Sequence, residues 1–465
     1  MPMTQAFSIE DLYLNRKPKS LHCVDAIDVA VCAVQSVDRQ KNGYASHLWT
    51  FALDGGDARQ MTHGDGTDQS PRWSPDGKRI AFLSDRAGGS PQVFVMPRDG
   101  GEARQLGQFA ESVGSLRWMP DGTGLIVTSA VRVDPDRHGR RSEQPPPERP
   151  AWAPDVAWRL PYKEDGIGYL LQREIHLFSL DAQTGEHRQL SDGAFDVLGF
   201  DISADGRRIA YTRSRGGRFA HCYDLWTCDV EGSNHRRLTH EHAMVMQPTW
   251  SPDGSRIAFT GAIAEGDAEP RLWLIEAEGG DAVQIAGETL DVADPESLTW
   301  AADGRSIVFM RAWHGRHQVA SVRVPEGEVT VLSGGDRQLG AFACTQRCLV
   351  YVVDHPSLPS EVWTSARDGS DETRLSDLNA WWRDRTPITA RPRSFEVPDA
   401  KGGSERVEGW LLRAEGSEGP MPLLNDIHGG PASYALLDFD TNVFWQVLCS
   451  QGWAVLALNA VGSSS

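Results

Sequence analysis

A segment of about fifteen residues recurs along the chain, and this repeat constrains the fold more than any other feature. Each copy reads as an extended strand, a Gly-containing turn and a second short strand that often resembles Arg-Gln-Leu. One register position, usually aromatic, falls at Trp49, Phe94, Phe178, Trp226, Trp273, Ala320 and Trp363. Successive positions are 45, 84, 48, 47, 47 and 43 residues apart, so a single step departs from a period near 47.

A second unit, centred on Trp-Ser-Pro-Asp-Gly or a variant of it, alternates with the first. Its clear copies span 72–85, 117–130, 201–214, 249–262 and 299–312, and degraded copies lie around 28–36 and 341–353. Pro fixes φ in a turn, Asp bonds the local backbone and Gly accepts the final geometry, so this unit predicts a β-hairpin. Two hairpins per period give four strands, and seven periods predict a mainly β fold with a seven-bladed β-propeller. A β-sandwich with chance similarity is the alternative, which the recurrence of both units in register disfavours.

The repeats also set the predicted domain boundaries. Residues 1–19 form an N-terminal segment, residues 20–380 the propeller and residues 381–465 a further domain. The long step of 84 residues contains an insertion near 131–170, whose first half is polar and Pro-rich and is predicted to be a mobile loop. Its second half carries Trp158, Tyr162 and Tyr169 among charged residues, and these three are candidates for contact with a ligand entering the pore. A solvated surface loop is the alternative.

The last eighty-odd residues lack the repeat. A Pro-containing stretch from Asp377 to Val397 is interpreted as a linker, and two strands are predicted within 404–416 and 420–431, the second leading into Gly-Gly-Pro. Val443, Phe444, Val447 and Leu448 recur at helical spacing before Gly452, and WAVLALNA at 453–460 reads as a buried parallel strand. Strand, Gly-rich loop, helix and strand predict a βαβ-type unit.

Composition excludes several classes of function. The formal charge of -18 argues against a nucleic-acid partner, because binding phosphates needs a basic face. The chain shows no apolar run long enough to span a membrane and no apolar signal segment, so we expect no membrane association and a cytoplasmic location. The seven Cys lack metal-ligand spacing and are expected to be buried thiols, so neither a metal nor an organic cofactor is predicted.

Three stretches together carry a resemblance to a known family. The Trp-Ser-Pro-Asp-Gly blades are followed by IHGGP at 427–431, QGWAVLALN at 451–459 and GSSS at 462–465. This combination resembles the prolyl oligopeptidase family of serine peptidases, in the style of its acylaminoacyl-peptidase and dipeptidyl-peptidase-like branches. The resemblance implies a propeller that caps an α/β-hydrolase domain and restricts access to short peptides. Family members usually show Asn-Pro-Arg-Gly where this chain has Asn459-Ala460-Val461-Gly462, which leaves a role for the family Arg without a counterpart.

The resemblance also implies a catalytic site whose nucleophile is not among these residues. His428, Gly429 and Gly430 are candidates for one half of an oxyanion hole, in which backbone N–H groups face a developing negative charge. An alternative role for His428 is to shape the loop at the strand end. The 465 residues contain no Gly-x-Ser-x-Gly, and the resemblance places the serine, the acid and the histidine downstream of Ser465. We therefore interpret the chain as a fragment of a serine peptidase, truncated within the hydrolase domain and inactive alone.

Other functions stay open at this point. The propeller could act as a non-catalytic module that binds peptides or proteins, the chain could be one half of a split hydrolase completed by a second chain, or the lineage could be a carboxylesterase. The partners considered are a short peptide substrate, further copies of the chain and a complementing hydrolase chain. The strand 453–460 is predicted to be an open edge of its sheet, and the tail to be poorly stable alone.

Overall fold

The computed structural model describes residues 5–133, 150, 152–154, 156–165, 167–266, 268–287, 290–399, 402–430, 433–461 and 463. In these residues seven four-stranded sheets follow one another along the chain. The first sheet consists of β1 Arg16–His22, β2 Val29–Asp38, β3 Gly43–Ala52 and β4 Arg59–Gln60, and the second of β5 Asp68–Trp73, β6 Arg79–Ser84, β7 Gln92–Pro97 and β8 Arg104–Gln105. The third consists of β9 Val113–Trp118, β10 Gly124–Arg132, β13 Arg173–Asp181 and β14 His187–Gln189, and a separate hairpin of β11 Lys163–Glu164 and β12 Gly168–Tyr169 lies between β10 and β13 in the chain. The fourth consists of β15 Val197–Ile202, β16 Arg208–Ser214, β17 Tyr223–Asp229 and β18 Arg236–Arg237.

The remaining three of these sheets continue the same order. They consist of β19 Met244–Trp250, β20 Arg256–Ala262, β21 Arg271–Glu276 and β22 Val283–Gln284; of β23 Asp291–Trp300, β24 Ser306–Trp313, β25 Arg316–Arg323 and β26 Val329–Ser333; and of β27 Gln338–Cys344, β28 Cys348–His355, β29 Leu358–Ala366 and β30 Thr373–Arg374. These are the predicted blades, so the expected mainly β, seven-bladed fold is confirmed. Short 3-10 turns lie at Ile9–Leu14, Gly217–Phe219 and Ala380–Asp384.

The Ser-Pro-Asp-Gly sequence forms the turn between the first and second strands of a blade. In the second blade the Ser74 hydroxyl donates to Asp76 Oδ1 at 2.6 Å, and the Asp76 carboxylate accepts the N–H of Lys78 at 3.1 Å. Gly77 has a φ of +67°, which a glycine adopts without steric cost. These hydrogen bonds lower the pKa of the Asp76 carboxyl. The same pattern recurs at Ser203 and Asp205 and at Ser251 and Asp253.

The repeated aromatic position lies on the third strand of its blade, opposite the middle of the second strand. Trp273 pairs with Phe259 on one side and Gln284 on the other. It packs in a core that also holds Leu225 and Leu238 of the preceding blade. The predicted packing of this residue between neighbouring blades is therefore correct here, because each blade buries the face of the next.

The chain divides into two compact units. The first unit comprises Met1–Gln69, Phe309–Ser321 and Val329–Ser465, and the second comprises Ser70–Val308 and Val322–Glu328. In the first unit, strands of the first and seventh blades share a core that includes Val34, Phe51, Val350 and Val362.

A different sheet follows the blades, within the first unit. It contains β31 Ile388–Pro398, β32 Ser404–Ala414, β33 Leu423–Ile427 and β34 Ala454–Asn459, in the order β31-β32-β34-β33, with α1 Phe444–Ser450 between β33 and β34. β33 and β34 are parallel and joined through the helix, which confirms the predicted βαβ unit. The core against this sheet contains Trp410, Leu412, Trp445, Cys449 and Val455.

Three expectations for this region require correction. The stretch interpreted as a linker contains β31, an eleven-residue strand that tolerates Pro392 because it lies at the sheet edge. The strand predicted to be the open edge, β34, is central, and β33 lies at the edge instead. The buried face of α1 carries Trp445, Gln446, Val447 and Cys449, whereas Phe444 is exposed, because the apolar spacing fits two faces of so short a helix. No helix among the described residues has the length and apolar character needed to cross a membrane.

Candidate functional site

The loop after β33 holds the three oxyanion-hole candidates together. His428 Nδ1 donates to the carbonyl oxygen of Gly429 at 2.9 Å, and Nε2 lies 2.8 Å from the Ser463 hydroxyl oxygen. A Cβ on Gly429 would meet no atom within 4 Å, and Gly430 has a φ of +139°. Among the described residues, neither glycine N–H is bonded to an acceptor. Within the described part of the chain the two amides are thus unbonded, and their role in an oxyanion hole stays a prediction.

The segment after this loop is held by polar contacts within the first unit. Ala435 N–H donates to Asn459 Oδ1 at 2.6 Å, and Leu437 N–H donates to the Gly315 carbonyl oxygen at 3.1 Å. The Trp410 indole N–H donates to the Ala435 carbonyl oxygen at 3.3 Å. Asn459 closes β34 and Gly315 joins β24 to β25, so this segment contacts both its own sheet and the sixth blade.

Gly315 makes this approach sterically feasible. Its φ is +70°, and a Cβ there would lie 3.0 Å from the Ala435 carbonyl oxygen and 3.1 Å from Asn459 Nδ2. Both the backbone conformation and the space therefore require glycine. The sixth blade can approach the segment closely because this one residue lacks a side chain.

His317 holds Tyr434, which lies four residues after Gly430. The tyrosine hydroxyl lies 2.6 Å from His317 Nε2, and the two rings meet edge to face at 5.8 Å. Removal of water lowers the pKa of His317 to about 4, so the imidazole is neutral at pH 7 and accepts a hydrogen bond from the Tyr434 hydroxyl. This contact fixes the start of the segment that follows the glycines.

A buried group of carboxylates holds the end of the same segment. Asp354 of β28 accepts the Phe439 N–H at 2.8 Å, and Asp440 lies 3.6 Å from Lys17 Nζ. Burial and the neighbouring Asp440 and Asp438 raise the pKa of Asp354 well above its usual range. Burial likewise raises the pKa of Asp438 to about 6. The segment is thus tied to the seventh blade through Asp354 and to the first blade through the ion pair of Asp440 with Lys17.

A cavity of about 830 Å³ lies beside Trp410 and Asn459 in the first unit. Its walls include Trp313, Arg316, Asp336, Glu408 and Trp410. The Arg316 guanidinium carbon lies 4.4 Å from the centre of the Trp410 ring, and its Nε donates to Asp336 at 3.0 Å. The cavity size falls within the range of about 300–1,000 Å³ that is usual for ligand sites, and its walls combine aromatic surface with both charges.

The other sequence-predicted residues belong to the second unit. The stretches 134–149, 151, 155 and 166 of the predicted insertion lie outside the described residues. Tyr162 precedes β11 and Tyr169 ends β12, with their rings stacked at 6.3 Å, and both are exposed. Trp158 is half-buried, and its indole N–H has no acceptor among the described residues. Their proposed contact with ligand stays a prediction.

Arg159, which the sequence interpretation missed, orders this part of the insertion. It is 5% exposed and donates to Asp196 Oδ2 at 2.6 Å, to the Leu170 carbonyl oxygen at 2.7 Å and to that of Arg173 at 3.0 Å. A single Arg in a polar insertion gives no signal that it is buried. His317 gave no signal either, because its partner Tyr434 lies 117 residues further along the chain.

Two curated relatives that match more than nine tenths of the chain are named as peptidases. It is 26% identical over 453 residues to a Bacillus subtilis protein named uncharacterized peptidase YuxL, covering 92% of this chain and 66% of that protein. It is 23% identical over 451 residues to dipeptidyl-peptidase 5 of Porphyromonas gingivalis, covering 93% of this chain and 64% of that protein. The chain thus spans slightly less than two thirds of the length of these two relatives.

Comparison with solved structures supports the fold. The acylaminoacyl peptidase of Pyrococcus horikoshii superposes with a TM-score of 0.77 at 17% identity, covering 99% of this chain and 67% of that one. The fold is thus a seven-bladed β-propeller followed by the N-terminal part of an α/β-hydrolase domain, and the resemblance to propeller-bearing peptidases of the prolyl oligopeptidase type is confirmed. The family description of a TolB beta propeller domain matches residues 34–156 and 149–386, which is more than half of the chain. By its blades, the chain therefore belongs to the TolB beta propeller domain family.

Proposed function

We propose that the chain carries the propeller and the oxyanion side of a serine peptidase that hydrolyses short peptides, as an oligopeptidase or as an acylaminoacyl or dipeptidyl peptidase. The observation that carries this proposal is the pair of unbonded N–H groups of Gly429 and Gly430 at the carboxyl end of β33, as seen among the described residues. Ligands of open α/β sheets bind at the carboxyl ends of parallel strands. Two backbone donors at that position match the chemistry of acyl transfer, in which charge develops on a carbonyl oxygen.

We propose that the nucleophile lies outside these 465 residues, since they contain no Gly-x-Ser-x-Gly. We propose that the serine, acid and histidine lie on hydrolase sequence that pairs along β33. Leu423 is 54% and Ile427 77% exposed on this edge strand, and Phe444 of α1 is 43% exposed. Exposed apolar side chains beside an edge strand are what a further strand and helix would cover. That sequence could continue the same polypeptide or belong to a complementing chain, and without it we expect no turnover.

The cavity beside Arg316 is proposed as the place where a short peptide enters. Its aromatic walls offer stacking surface, and the Arg316–Asp336 pair and Glu408 offer charges to the ends of a peptide. Trp158, Tyr162 and Tyr169 are proposed as weaker access contacts on the insertion.

The test starts from the native protein, captured from its source with an antibody to the propeller. Its intact mass is measured, it is treated with a fluorophosphonate that labels activated serines, and it is assayed on acylamino and dipeptidyl chromogenic peptides. A mass well above 51.2 kDa, or a co-captured hydrolase chain, together with labelling and peptide hydrolysis, would support the proposal. A mass near 51.2 kDa with no labelled partner and no turnover would overturn it.

Two variants of the active assembly then test the glycines. Gly429→Pro removes one N–H, and we expect kcat to fall about 100-fold or more with little change in KM. Gly429→Ala keeps the N–H and meets open space, so it serves as the control. Equal kcat for both variants would remove Gly429 from the oxyanion hole.

A non-catalytic binding module is the second candidate, and a carboxylesterase on the same fold is a third. The match of the propeller description to most of the chain favours the binding module if no hydrolase partner is found. Ester hydrolysis without peptide hydrolysis in the same assay would favour the esterase.

A further inference from the structure

A group of three metal-ligating side chains lies in the second unit, away from the glycines. His221 and Cys222 end the connection from β16 to β17, and Glu265 lies in the connection from β20 to β21 of the next blade. The His221 Nε2 and Glu265 Oε2 atoms are 3.1 Å apart, and one ligand atom from each of the three side chains lies within 4.8 Å of the other two. Because two blades contribute to the group, no short stretch of the sequence contains a metal motif.

The cysteine of this group is held rigidly from the protein side. Cys222 is 1% exposed, its N–H donates to the Phe219 carbonyl oxygen at 2.9 Å, and its carbonyl oxygen accepts the Arg215 N–H at 2.8 Å. The Arg215 guanidinium in turn bonds both oxygens of Asp224 at 2.8 and 3.0 Å. The thiol therefore projects from an ordered base rather than from a free loop.

The other two ligands lie on the solvent side. The side chains of His221 and Glu265 are 43% and 53% exposed. The group thus combines one buried soft ligand with two exposed ligands and leaves one side open to water. Zinc sites with an open position use this combination of three protein ligands, drawn from sulfur, imidazole nitrogen and carboxylate oxygen, plus one water.

The charges of the group also favour a cation. The Glu265 carboxylate and, once its proton is lost, the Cys222 thiolate would lie within 4.8 Å of each other. A divalent cation would compensate both charges, and metal binding displaces the thiol proton. The buried Cys228, in the same blade, belongs to no such group among the described residues.

We propose that His221, Cys222 and Glu265 bind one zinc ion that links two adjacent blades of the propeller. Ligands around zinc are separated by about 3.5 Å, given Zn–S and Zn–N bonds of about 2.3 and 2.0 Å, so small side-chain rotations suffice to close the group. This site does not depend on the proposed peptidase activity, because none of its residues belongs to the glycine loop or to the cavity beside Arg316.

Cobalt provides a direct probe, because Co²⁺ bound by a thiolate gives a charge-transfer absorption band. The 465-residue chain, stripped with a chelator, is titrated with Co²⁺ and then with Zn²⁺. We expect one equivalent of Co²⁺ to produce the thiolate band and Zn²⁺ to abolish it. Absence of the band, or binding far from one equivalent, would overturn the proposal.

Three variants and one control locate the site. Cys222→Ser is expected to abolish the thiolate band. His221→Ala and Glu265→Gln are expected to weaken Zn²⁺ binding more than about 100-fold, because losing a direct ligand costs more affinity than losing a residue that hydrogen-bonds to a ligand. Glu265→Gln changes an exposed residue and should fold normally, which circular dichroism verifies. Cys228→Ser should leave the band unchanged. A band lost in Cys228→Ser and kept in Cys222→Ser would place the metal elsewhere and refute the assignment.

Discussion

The blade formed by β19–β22 and the sheet formed by β31–β34 differ in how far apart in the sequence their paired strands lie. In the blade, each strand bonds the next one along the chain, and all four lie between Met244 and Gln284. In the C-terminal sheet, β32 bonds β34, so that Glu408 pairs with Asn459. Local turns determine how the strands of the blade pair, whereas the C-terminal sheet depends on single contacts such as that of His317 with Tyr434. Local order should therefore survive changes that detach the C-terminal sheet.

Limited proteolysis gives the largest expected contrast. We expect a nonspecific protease to cut the chain within 395–465 at least tenfold faster than within the described strands of the blades, because edge strand β33 and the turns near Gly402 and Gly416 are exposed. Mass spectrometry of early fragments measures the sites. Equal resistance of 395–465 and the blades would remove the contrast.

Two substitutions compare the core of a blade with the edge strand β33. Phe259→Ala in β20 removes a fully buried ring and should lower the free energy of unfolding by about 3–5 kcal/mol. Ile427→Ala in β33 removes a side chain that is 77% exposed and should change it by less than about 0.5 kcal/mol. Guanidinium unfolding followed by fluorescence measures both. Similar losses would show that β33 is covered in solution.

Substitutions at two glycines distinguish the cost of a steric clash from the cost of a positive φ. Gly315→Ala forces a Cβ against the Ala435 carbonyl oxygen at a positive φ and should cost about 2–4 kcal/mol. Gly402→Ala has a φ of +84° but open space, so it should cost about 1–2 kcal/mol. Hydrogen exchange at Leu437, whose N–H bonds Gly315, should accelerate in Gly315→Ala alone. Unchanged exchange there would mean that the segment is held without the sixth blade.

The raised pKa of Asp438 predicts how the stability of the protein depends on pH. Its folded pKa of about 6 exceeds its usual value of 3.8, so the folded state holds a proton that the unfolded chain releases, and stability is lost as pH rises through this window. Asp438→Asn mimics the protonated form. It should raise the melting temperature at pH 8, with a gain in stability of about 2–3 kcal/mol, and leave it unchanged near pH 3. A variant less stable than the parent at pH 8 would contradict this sign.

The smallest expected effect concerns Tyr434. Tyr434→Phe removes the hydroxyl that donates to His317 and should cost about 1 kcal/mol at pH 7.5. The His317 pKa of about 4 lies below its usual 6.5, so stability from this residue is present above pH 6.5 and is lost as pH falls toward 4. Thermal unfolding at pH 7.5 and pH 4.5 tests both points. A larger loss at pH 4.5 than at pH 7.5 would argue against a neutral imidazole.

The sequence predicted the parts of the fold that rest on local patterns. The Ser-Pro-Asp-Gly turns and the Trp273 position follow from residues a few positions apart, so one sequence sufficed to place them. β31 was missed because Pro392 argues against a strand unless its edge position is known. The contacts of Asp354, His317 and Arg159 join residues far apart in the chain, and no short pattern encodes them. For the candidate site, the glycine loop was readable, whereas the residues that hold the segment after it were not.

The hydrogen-bonded Ser-Asp turns have a consequence for the order of folding. Each of the turns at Ser74, Ser203 and Ser251 closes a short loop with its own side chains, so little chain entropy opposes the hairpin. Blades can therefore begin to form at several places while the chain is still being synthesised. β32 has to wait for β34, some fifty residues later in the chain, so the hydrolase strands should assemble last, on blades already in place.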